Sequence, residues 1–197
     1  FIRGKNSKTL GKVYVDTGPV MDKVWAQRAG IGWEGKHTNV ITQEFGSWVF
    51  LGEIILNLEL EYDSPATDHC GSCTLCIEAC PTQAIVEPYV VDSNKCISYL
   101  TIEHRGEIAV ELGEKFDRWI YGCDICQDVC PWNLKFAAPT PLRKFHPRES
   151  SIAPNLPEWS EMAQEEFNRK FKGSPIKRTK LSGLQRNVKA VARIHSH

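Results

Sequence analysis

The sequence predicts an α+β protein in three parts, and three features of the chain support this. A β-branched and aromatic run at residues 12–15 leads through a glycine-proline turn into a helical pattern. All eight cysteines of the 197 residues then lie between Cys70 and Cys130. Beyond a proline-rich connector, residues 160–171 and 181–194 are amphipathic at helical spacing. We therefore expect parts at residues 1–62, 63–135 and 136–197.

The first part is expected to hold a strand, a helix and a buried apolar segment. Pro19 suits the first position of the helix, and Gly30 suits its end. Residues 47–60 are strongly apolar around Gly52 and are expected to be core. Asp16 falls between strand and helix, where a carboxylate can either cap the helix or do chemistry. The residues alone favour the cap.

A glycine-rich loop follows the helix at residues 28–39. Three glycines in six residues allow the backbone to approach a ligand closely, with Trp33, Lys36 and His37 beside it. The glycine spacing differs from the dinucleotide-binding fingerprint. The pattern therefore predicts a ligand-binding loop, although His37 could equally be a hydrogen-bonded structural histidine.

The cysteine spacing predicts two iron-sulfur clusters. The first run has the bacterial ferredoxin spacing and is followed by Pro81: Cys70, Cys73, Cys76 and Cys80. In that pattern the fourth thiolate ligates the neighbouring cluster, so one motif implies a second. A second, stretched run also ends in a Cys-Pro pair: Cys96, Cys123, Cys126 and Cys130.

The same crossover divides the cysteines into two sets of four. The first 4Fe-4S cluster would take Cys70, Cys73, Cys76 and Cys130, and the second would take Cys80, Cys96, Cys123 and Cys126. The alternatives are a disulfide framework, a pair of structural zinc sites, or unrelated buried thiols. Disulfides suit small secreted chains, and no signal peptide is visible. Zinc sites do not call for a Cys-Pro ending on both runs.

Charge is unevenly distributed along a chain whose net charge is zero. Nine of the 24 Lys and Arg residues, and no Asp or Glu, lie from Phe167 onward. A basic end on an acidic body suits an anionic partner, most commonly nucleic acid, whereas a solvated helical face is the alternative. No apolar run is long enough for a transmembrane helix, so no membrane contact is expected. The reduced, cluster-bearing cysteines indicate the cytoplasm. We also expect a monomer. Because Phe1 is not a translation start, we also expect a fragment.

Six sequence blocks together resemble the epoxyqueuosine reductase family. They are VDTGP at 15–19, GIGWEGK at 30–36, SWVFLGE at 47–53, PTQAIV at 81–86, CISYLTIE at 96–103 and YGCDICQDVCPWN at 121–133. The resemblance runs from about Lys12 to Ile194. Gly18 departs from it, since the family commonly has alanine there, and the family's N-terminal domain is missing.

The resemblance implies an oxidoreductase of tRNA modification. It implies that epoxyqueuosine at the wobble position is reduced to queuosine, with electrons passing from an external low-potential donor through two 4Fe-4S clusters to cobalamin. The first part of the chain would then be the C-terminal part of an α/β cobalamin-binding domain, followed by a ferredoxin-like domain and a basic helical tail. Asp16 falls on the family's proton donor, which overrides its interpretation as a cap.

The resemblance also assigns binding residues. Cobalamin contacts fall on Trp33, Lys36, His37, Thr38, Ser98 and Cys123, and tRNA contacts on Arg105, Lys177, Arg178 and Lys180. Two alternatives remain at this point. A corrinoid reductive dehalogenase has a similar cofactor set, and a two-cluster ferredoxin would only carry electrons.

Overall fold

The first part of the chain contains four short strands and one helix. The computed structural model describes residue 4 and residues 8–194, so Phe1 and the extreme ends of the first and third predicted parts lie outside it. Strand β1 pairs antiparallel with β4, and β2 pairs antiparallel with β3. The elements are β1 (Gly11–Tyr14), α1 (Asp22–Arg28), β2 (Trp33–Glu34), β3 (Val40–Ile41) and β4 (Glu53–Leu56).

Helix α1 begins at Asp22, three residues later than Pro19, so the predicted start was wrong. The ring of Tyr14 lies where a side chain at Gly18 would be, only 2.1 Å from an added Cβ, and the chain turns there before the helix begins. An acidic residue is favourable in the first helical turn. The predicted end is confirmed, because Gly30 has φ of 67° and the helix stops at Arg28.

The prediction that residues 47–60 form core was wrong. Phe50, Ile54 and Ile55 expose 83%, 53% and 56% of their surface. Strand β4 pairs only with β1 among the described residues, so these two strands form a small sheet of their own. Apolar composition predicted burial, but burial needs a second layer to pack against.

The middle part brings the two cysteine runs together through short helices. Helix α2 packs against α5, and α3 begins directly after Cys96. Strands β5 and β6 form an irregular antiparallel hairpin. The elements are α2 (Leu75–Ala79), β5 (Ile85–Glu87), β6 (Val90–Val91), α3 (Ile97–Ile102), α4 (Val110–Gly113) and α5 (Ile125–Asp128).

The third part is helical, as predicted, but the helix expected over residues 160–171 begins only at Gln164, and Ser160 is the last residue of the preceding helix. Residues 161–163 interrupt the amphipathic segment, and the buried Met162 lies in that break. The proline-rich connector contains two single 3-10 turns, at Arg143–Phe145 and Glu149–Ser151. Helix α6 (Pro131–Phe136) ends the middle part. The other elements of the third part are α7 (Leu156–Ser160), α8 (Gln164–Lys170), a 3-10 helix at Pro175–Thr179, and α9 (Lys180–Ile194).

Helix α9 joins the third part firmly to the middle part. On one side its residues share an apolar core with α7 and α8, and on the other Val191 packs with Ile97 and Leu100 of α3. The fully buried Asn187 donates from Nδ2 to the carbonyl oxygens of Thr101 and Ile120, at 2.8 and 2.9 Å. The basic end of the chain is thereby fixed against the segment that carries Cys96. Among residues 8–194, no helix has the length and apolar character needed to span a bilayer.

Candidate functional site

Four cysteines from distant segments line a first cavity of about 170 Å³. They are Cys70, Cys73, Cys76 and Cys130. A backbone N–H bond from Cys73 to the Cys70 carbonyl, 3.1 Å, shapes the loop before α2, and Cys130 precedes α6. Burial, followed by repulsion from the neighbouring thiolates, raises the pKa of Cys76 to about 11. Such a thiol ionises readily only when positive charge occupies the space beside it.

The other four cysteines line a second cavity of about 400 Å³. They are Cys80, Cys96, Cys123 and Cys126. Burial, with added repulsion from the other thiolates, raises the pKa of Cys126 to about 12. For Cys80 the effect of burial is outweighed by hydrogen bonds from Thr82 and from the backbone N–H of Ala84, so its pKa is lowered. In the second cavity, burial therefore disfavours the thiolate of Cys126, whereas hydrogen bonds favour the thiolate of Cys80.

The geometry does not match either alternative for the cysteines. All eight are free thiols, so no disulfide framework is present. Within the part of the chain that the structure describes, no three His, Cys, Asp or Glu side chains converge closely enough to hold one metal ion. A zinc site requires such convergence, because its thiolates lie at about 2.3 Å from the metal. An iron-sulfur cluster is a larger body, and its thiolates bind separate irons.

Two residues predicted to contact cobalamin lie beside the first cavity. The buried Lys36 donates from Nζ to the carbonyl oxygens of Gly71 and Cys73, at 2.6 and 2.9 Å. Trp33 is 1% exposed and packs with Cys70 and Cys130. The structure does not bring Lys36 or Trp33 to the lining of the second cavity. Lys36 instead fixes the backbone of the loop that carries Cys73.

The other four predicted cobalamin contacts, His37, Thr38, Ser98 and Cys123, line the second cavity. His37 lines both cavities and is 4% exposed. Its Nδ1 accepts a 3.1 Å bond from the Asn39 backbone N–H, while its buried Nε2 has no hydrogen-bond partner among the described residues. Burial, followed by repulsion from Lys23, lowers the pKa of His37 to about 4. A neutral imidazole with a free nitrogen therefore separates the two cavities.

Sequence reasoning missed Lys23, which also lines the second cavity. Its Nζ donates to the carbonyl oxygen of Thr38, 2.6 Å, and holds that residue in a left-handed conformation with φ of 65°. Burial lowers the pKa of Lys23, and attraction to Glu34, Cys126 and Cys96 opposes the shift. A lysine within an otherwise ordinary helical pattern gave no signal in the sequence.

In mild acid the parent chain should lose part of its free energy of unfolding because of His37, and replacing His37 with asparagine should abolish this loss. The imidazole has a pKa of about 4 in the folded chain and about 6.5 when unfolded, so below pH 6.5 the unfolded state binds the extra proton. The free energy of unfolding should therefore fall by about 2 kcal/mol between about pH 7.5 and about pH 5. Urea titrations of the reduced, iron-free chain at several pH values measure it.

Asparagine can accept the same backbone bond through its side-chain oxygen but cannot gain the proton. His146→Asn, which changes an exposed imidazole, is the matched control and should keep the parental fall. A fall of equal size in His37→Asn would show that another group causes the acid sensitivity.

Asp16 lies on an exposed turn between β1 and α1. Its backbone has φ of 58°, an unusual conformation for a residue other than glycine, and its side chain is 80% exposed. Arg178 Nη1 lies 3.7 Å from Asp16 Oδ2, and Arg178 Nε makes a close contact with Glu103 Oε1. Glu103 lines the second cavity. Arg178 and Glu103 thus connect Asp16 to the edge of that cavity.

The predicted tRNA contacts fall into two groups. Lys177 and Lys180 are exposed, whereas Arg105 bonds to the carbonyl oxygens of Ile102 and Arg178 at 2.9 and 2.8 Å. Arg186, another basic residue of the tail, donates to the carbonyls of His104, Gly106 and Leu100. The basic tail is therefore partly structural, because some of its guanidinium groups hold the end of α3.

Comparison with known proteins identifies the middle of the chain first. Residues 69–133 match a family described as a 4Fe-4S double cluster binding domain, and this range contains all eight cysteines. Epoxyqueuosine reductases from Cellulophaga algicola and Synechocystis sp. are 50% and 51% identical to this chain over 188 and 180 aligned residues. The aligned regions cover 95% and 91% of this chain, and 61% and 62% of those proteins.

Over nearly its whole length this chain is similar to epoxyqueuosine reductases. A crystal structure of epoxyqueuosine reductase with an epoxyqueuosine-modified tRNA-Tyr stem loop matches it with a TM-score of 0.92 at 36% identity. The enzyme from Bacillus subtilis, with its catalytic loop swung out of the active site, matches with a TM-score of 0.91 at 34% identity. Both matches cover 98% of this chain and 51% of the solved chain. The chain thus spans about three fifths of its curated epoxyqueuosine reductase relatives and about half of the solved ones.

Proposed function

We propose that this chain acts in the reduction of epoxyqueuosine to queuosine at the wobble position of tRNA. The observation that carries the proposal is the pair of cavities, each lined by four cysteines, inside a double-cluster domain. Its relatives are named for this activity, and one was solved with an epoxyqueuosine-modified stem loop. A tRNA substrate also makes the cytoplasm the expected place of reaction.

The cysteine sets that line the cavities are proposed as the cluster ligands. Cys70, Cys73, Cys76 and Cys130 would hold the first 4Fe-4S cluster, and Cys80, Cys96, Cys123 and Cys126 the second. Buried thiols with raised pKa values suit iron, which stabilises their ionised form. The clusters would supply one-electron transfer from an external low-potential donor.

Cobalamin is proposed to bind against the mouth of the second cavity in the longer protein. The buried, unpaired Nε2 of His37 points to a missing polar or metal partner, and Thr38, Ser98 and Cys123 line the same space. Lys36 lines the first cavity and Trp33 packs beside it, so only four of the six expected cobalamin contacts line the second cavity. When bound, the corrinoid would supply the two-electron chemistry that no side chain can provide.

Asp16 is proposed as the proton donor to the opening epoxide. A carboxylic acid can deliver the proton needed when the C–O bond breaks, provided that it reaches the substrate oxygen. In the described chain Asp16 is exposed on a turn, and a relative of known structure has its catalytic loop swung out of the active site. The proposal therefore requires this turn, at its position on the edge of the second cavity, to be covered when tRNA binds.

The test is conversion of epoxyqueuosine in a tRNA stem loop by the full chain as the cell makes it, under reducing, oxygen-free conditions. Nucleoside analysis by mass spectrometry should show queuosine formed in proportion to the substrate lost. Intact epoxyqueuosine, with clusters and cobalamin loaded and a strong reductant present, would contradict the proposed function.

Neutralising Lys177 and Lys180 should weaken tRNA binding and its dependence on salt. Both side chains are exposed in or beside the 3-10 helix Pro175–Thr179. The logarithm of the tRNA association constant should fall less steeply with the logarithm of the salt concentration. Each lost phosphate contact should reduce the magnitude of this slope by about 1, with little dependence on RNA sequence. Fluorescence anisotropy of a labelled stem loop, titrated at several salt concentrations, measures the slope.

Lys144→Gln removes an equally exposed charge from the connector and serves as the control. It should leave the slope unchanged. If Lys177→Gln and Lys180→Gln also leave it unchanged, this face does not bind tRNA and its charges are simply solvated.

A further inference from the structure

The side chain of Arg178 bridges two carboxylates from distant parts of the chain. Its Nε contacts Glu103 closely, and its Nη1 lies 3.7 Å from Asp16 Oδ2. The nearby Tyr121, whose pKa is raised mainly by burial, experiences the charges of all three groups. We call Arg178, Glu103 and Asp16 the latch.

Arg178 is anchored on the side of the second cavity. The neighbouring Thr179 donates from Oγ1 to the Thr101 carbonyl at 2.9 Å, and Arg105 donates to the carbonyl of Arg178 itself at 2.8 Å. Tyr121 donates from its hydroxyl to the Pro175 carbonyl at 2.7 Å. The 3-10 helix that carries Arg178 is therefore held by bonds to α3 and to the segment before Cys123.

Asp16, in contrast, is weakly held. Its left-handed backbone is unfavourable for an aspartate, and its turn is closed by a 2.6 Å bond from the Thr17 N–H to the Val15 carbonyl. Among the described residues, Arg178 is the only ion-pair partner of Asp16. Because an exposed pair stabilises little, the turn should have more than one accessible position, and Arg178 should bias the choice.

We propose that Arg178, oriented by Glu103, is a positioning residue that holds the Asp16 turn at the edge of the second cavity. This inference rests on the proposed function, in which Asp16 delivers a proton there. It replaces the expectation that Arg178 contacts tRNA phosphate, since two carboxylates already engage its guanidinium group. Arginine suits the role because its planar fork can serve two carboxylates at once.

The test compares Arg178→Gln and Glu103→Gln with Lys177→Gln, which removes one charge from the same 3-10 helix. Hydrogen exchange of the backbone at residues 14–18 reports the turn without any need for activity. Exchange there should rise about twofold to fivefold in Arg178→Gln and Glu103→Gln and stay at the parental rate in Lys177→Gln. At saturating tRNA the single-turnover rate should fall by a similar factor in the first two variants, with Kd unchanged.

Arg178→Lys separates the effect of the positive charge from that of the guanidinium geometry. It also keeps the test decisive if Arg178→Gln misfolds. Lysine keeps the positive charge but presents a single ammonium group, so exchange at residues 14–18 should still rise while tRNA affinity stays parental. If Arg178→Gln and Arg178→Lys exchange like the parent, the latch is overturned. A Kd and salt slope that change in Arg178→Gln as they do in Lys177→Gln would also overturn it, in favour of a phosphate contact. Absence of turnover in the parent chain would count against the proposed function alone, since exchange still decides the latch.

Discussion

Replacing Cys130 with alanine should remove one cluster, leave the other in place and abolish turnover. Cys130 lines the first cavity with Cys70, Cys73 and Cys76, although 49 residues of chain, residues 81–129, separate it from the end of the first cysteine run. A cluster that loses one of its four thiolates should be lost or strongly destabilised. Iron content should fall from about eight to about four per chain, measured with labile sulfide on oxygen-protected protein.

Two double variants decide which cysteines share a cluster. Cys70→Ala combined with Cys130→Ala should retain the same four or so irons as Cys130→Ala alone, because both residues line the first cavity. Cys126→Ala combined with Cys130→Ala should retain almost none, because it damages both cavities. If each run of four cysteines held its own cluster, these two results would be exchanged.

Asp16→Asn should lower the rate of epoxide reduction by about a hundredfold to ten-thousandfold, the usual contribution of a positioned general acid. Asparagine has nearly the same size but cannot deliver a proton. Iron content and tRNA affinity should stay parental, because Asp16 lines neither cysteine cavity. Single-turnover measurements at saturating tRNA separate this loss from a change in binding.

Asp117→Asn is a matched control for that experiment. Asp117 is also an exposed aspartate with a left-handed backbone, φ of 50°, but its only described ion pair is with the adjacent Arg118. It should keep the parental rate. Full turnover by Asp16→Asn, with clusters and cobalamin loaded, would show that the proton comes from elsewhere.

The cysteine pattern could be interpreted from sequence because its spacing reflects a local constraint. Three thiolates in one short loop can reach one cluster, and a fourth beside a proline points to the next. The same spacing predicts the two sets of four that line separate cavities in the structure. Gly30 was equally predictable, since a left-handed residue ends a helix through local geometry alone.

The features that the sequence did not predict depend on contacts between residues that are distant in sequence. Arg178 and Asp16 are 162 positions apart, and Arg186 meets the Leu100 carbonyl across 86 positions, so neither pairing leaves a local signal. Phe50 illustrates a second limit of sequence-based prediction. An apolar run predicts burial, but it does not indicate whether another part of the protein packs over it, and Phe50 is exposed. Composition likewise marked the tail as basic but could not separate exposed Lys177 from the internally bonded Arg186.

Metal and sulfide analysis of the full chain, purified without oxygen, tests the central claim most directly. Two cubane clusters held by eight thiolates predict about eight irons and about eight labile sulfides per fully loaded chain. About four irons or fewer in fully loaded material, or zinc in place of iron, would contradict the account.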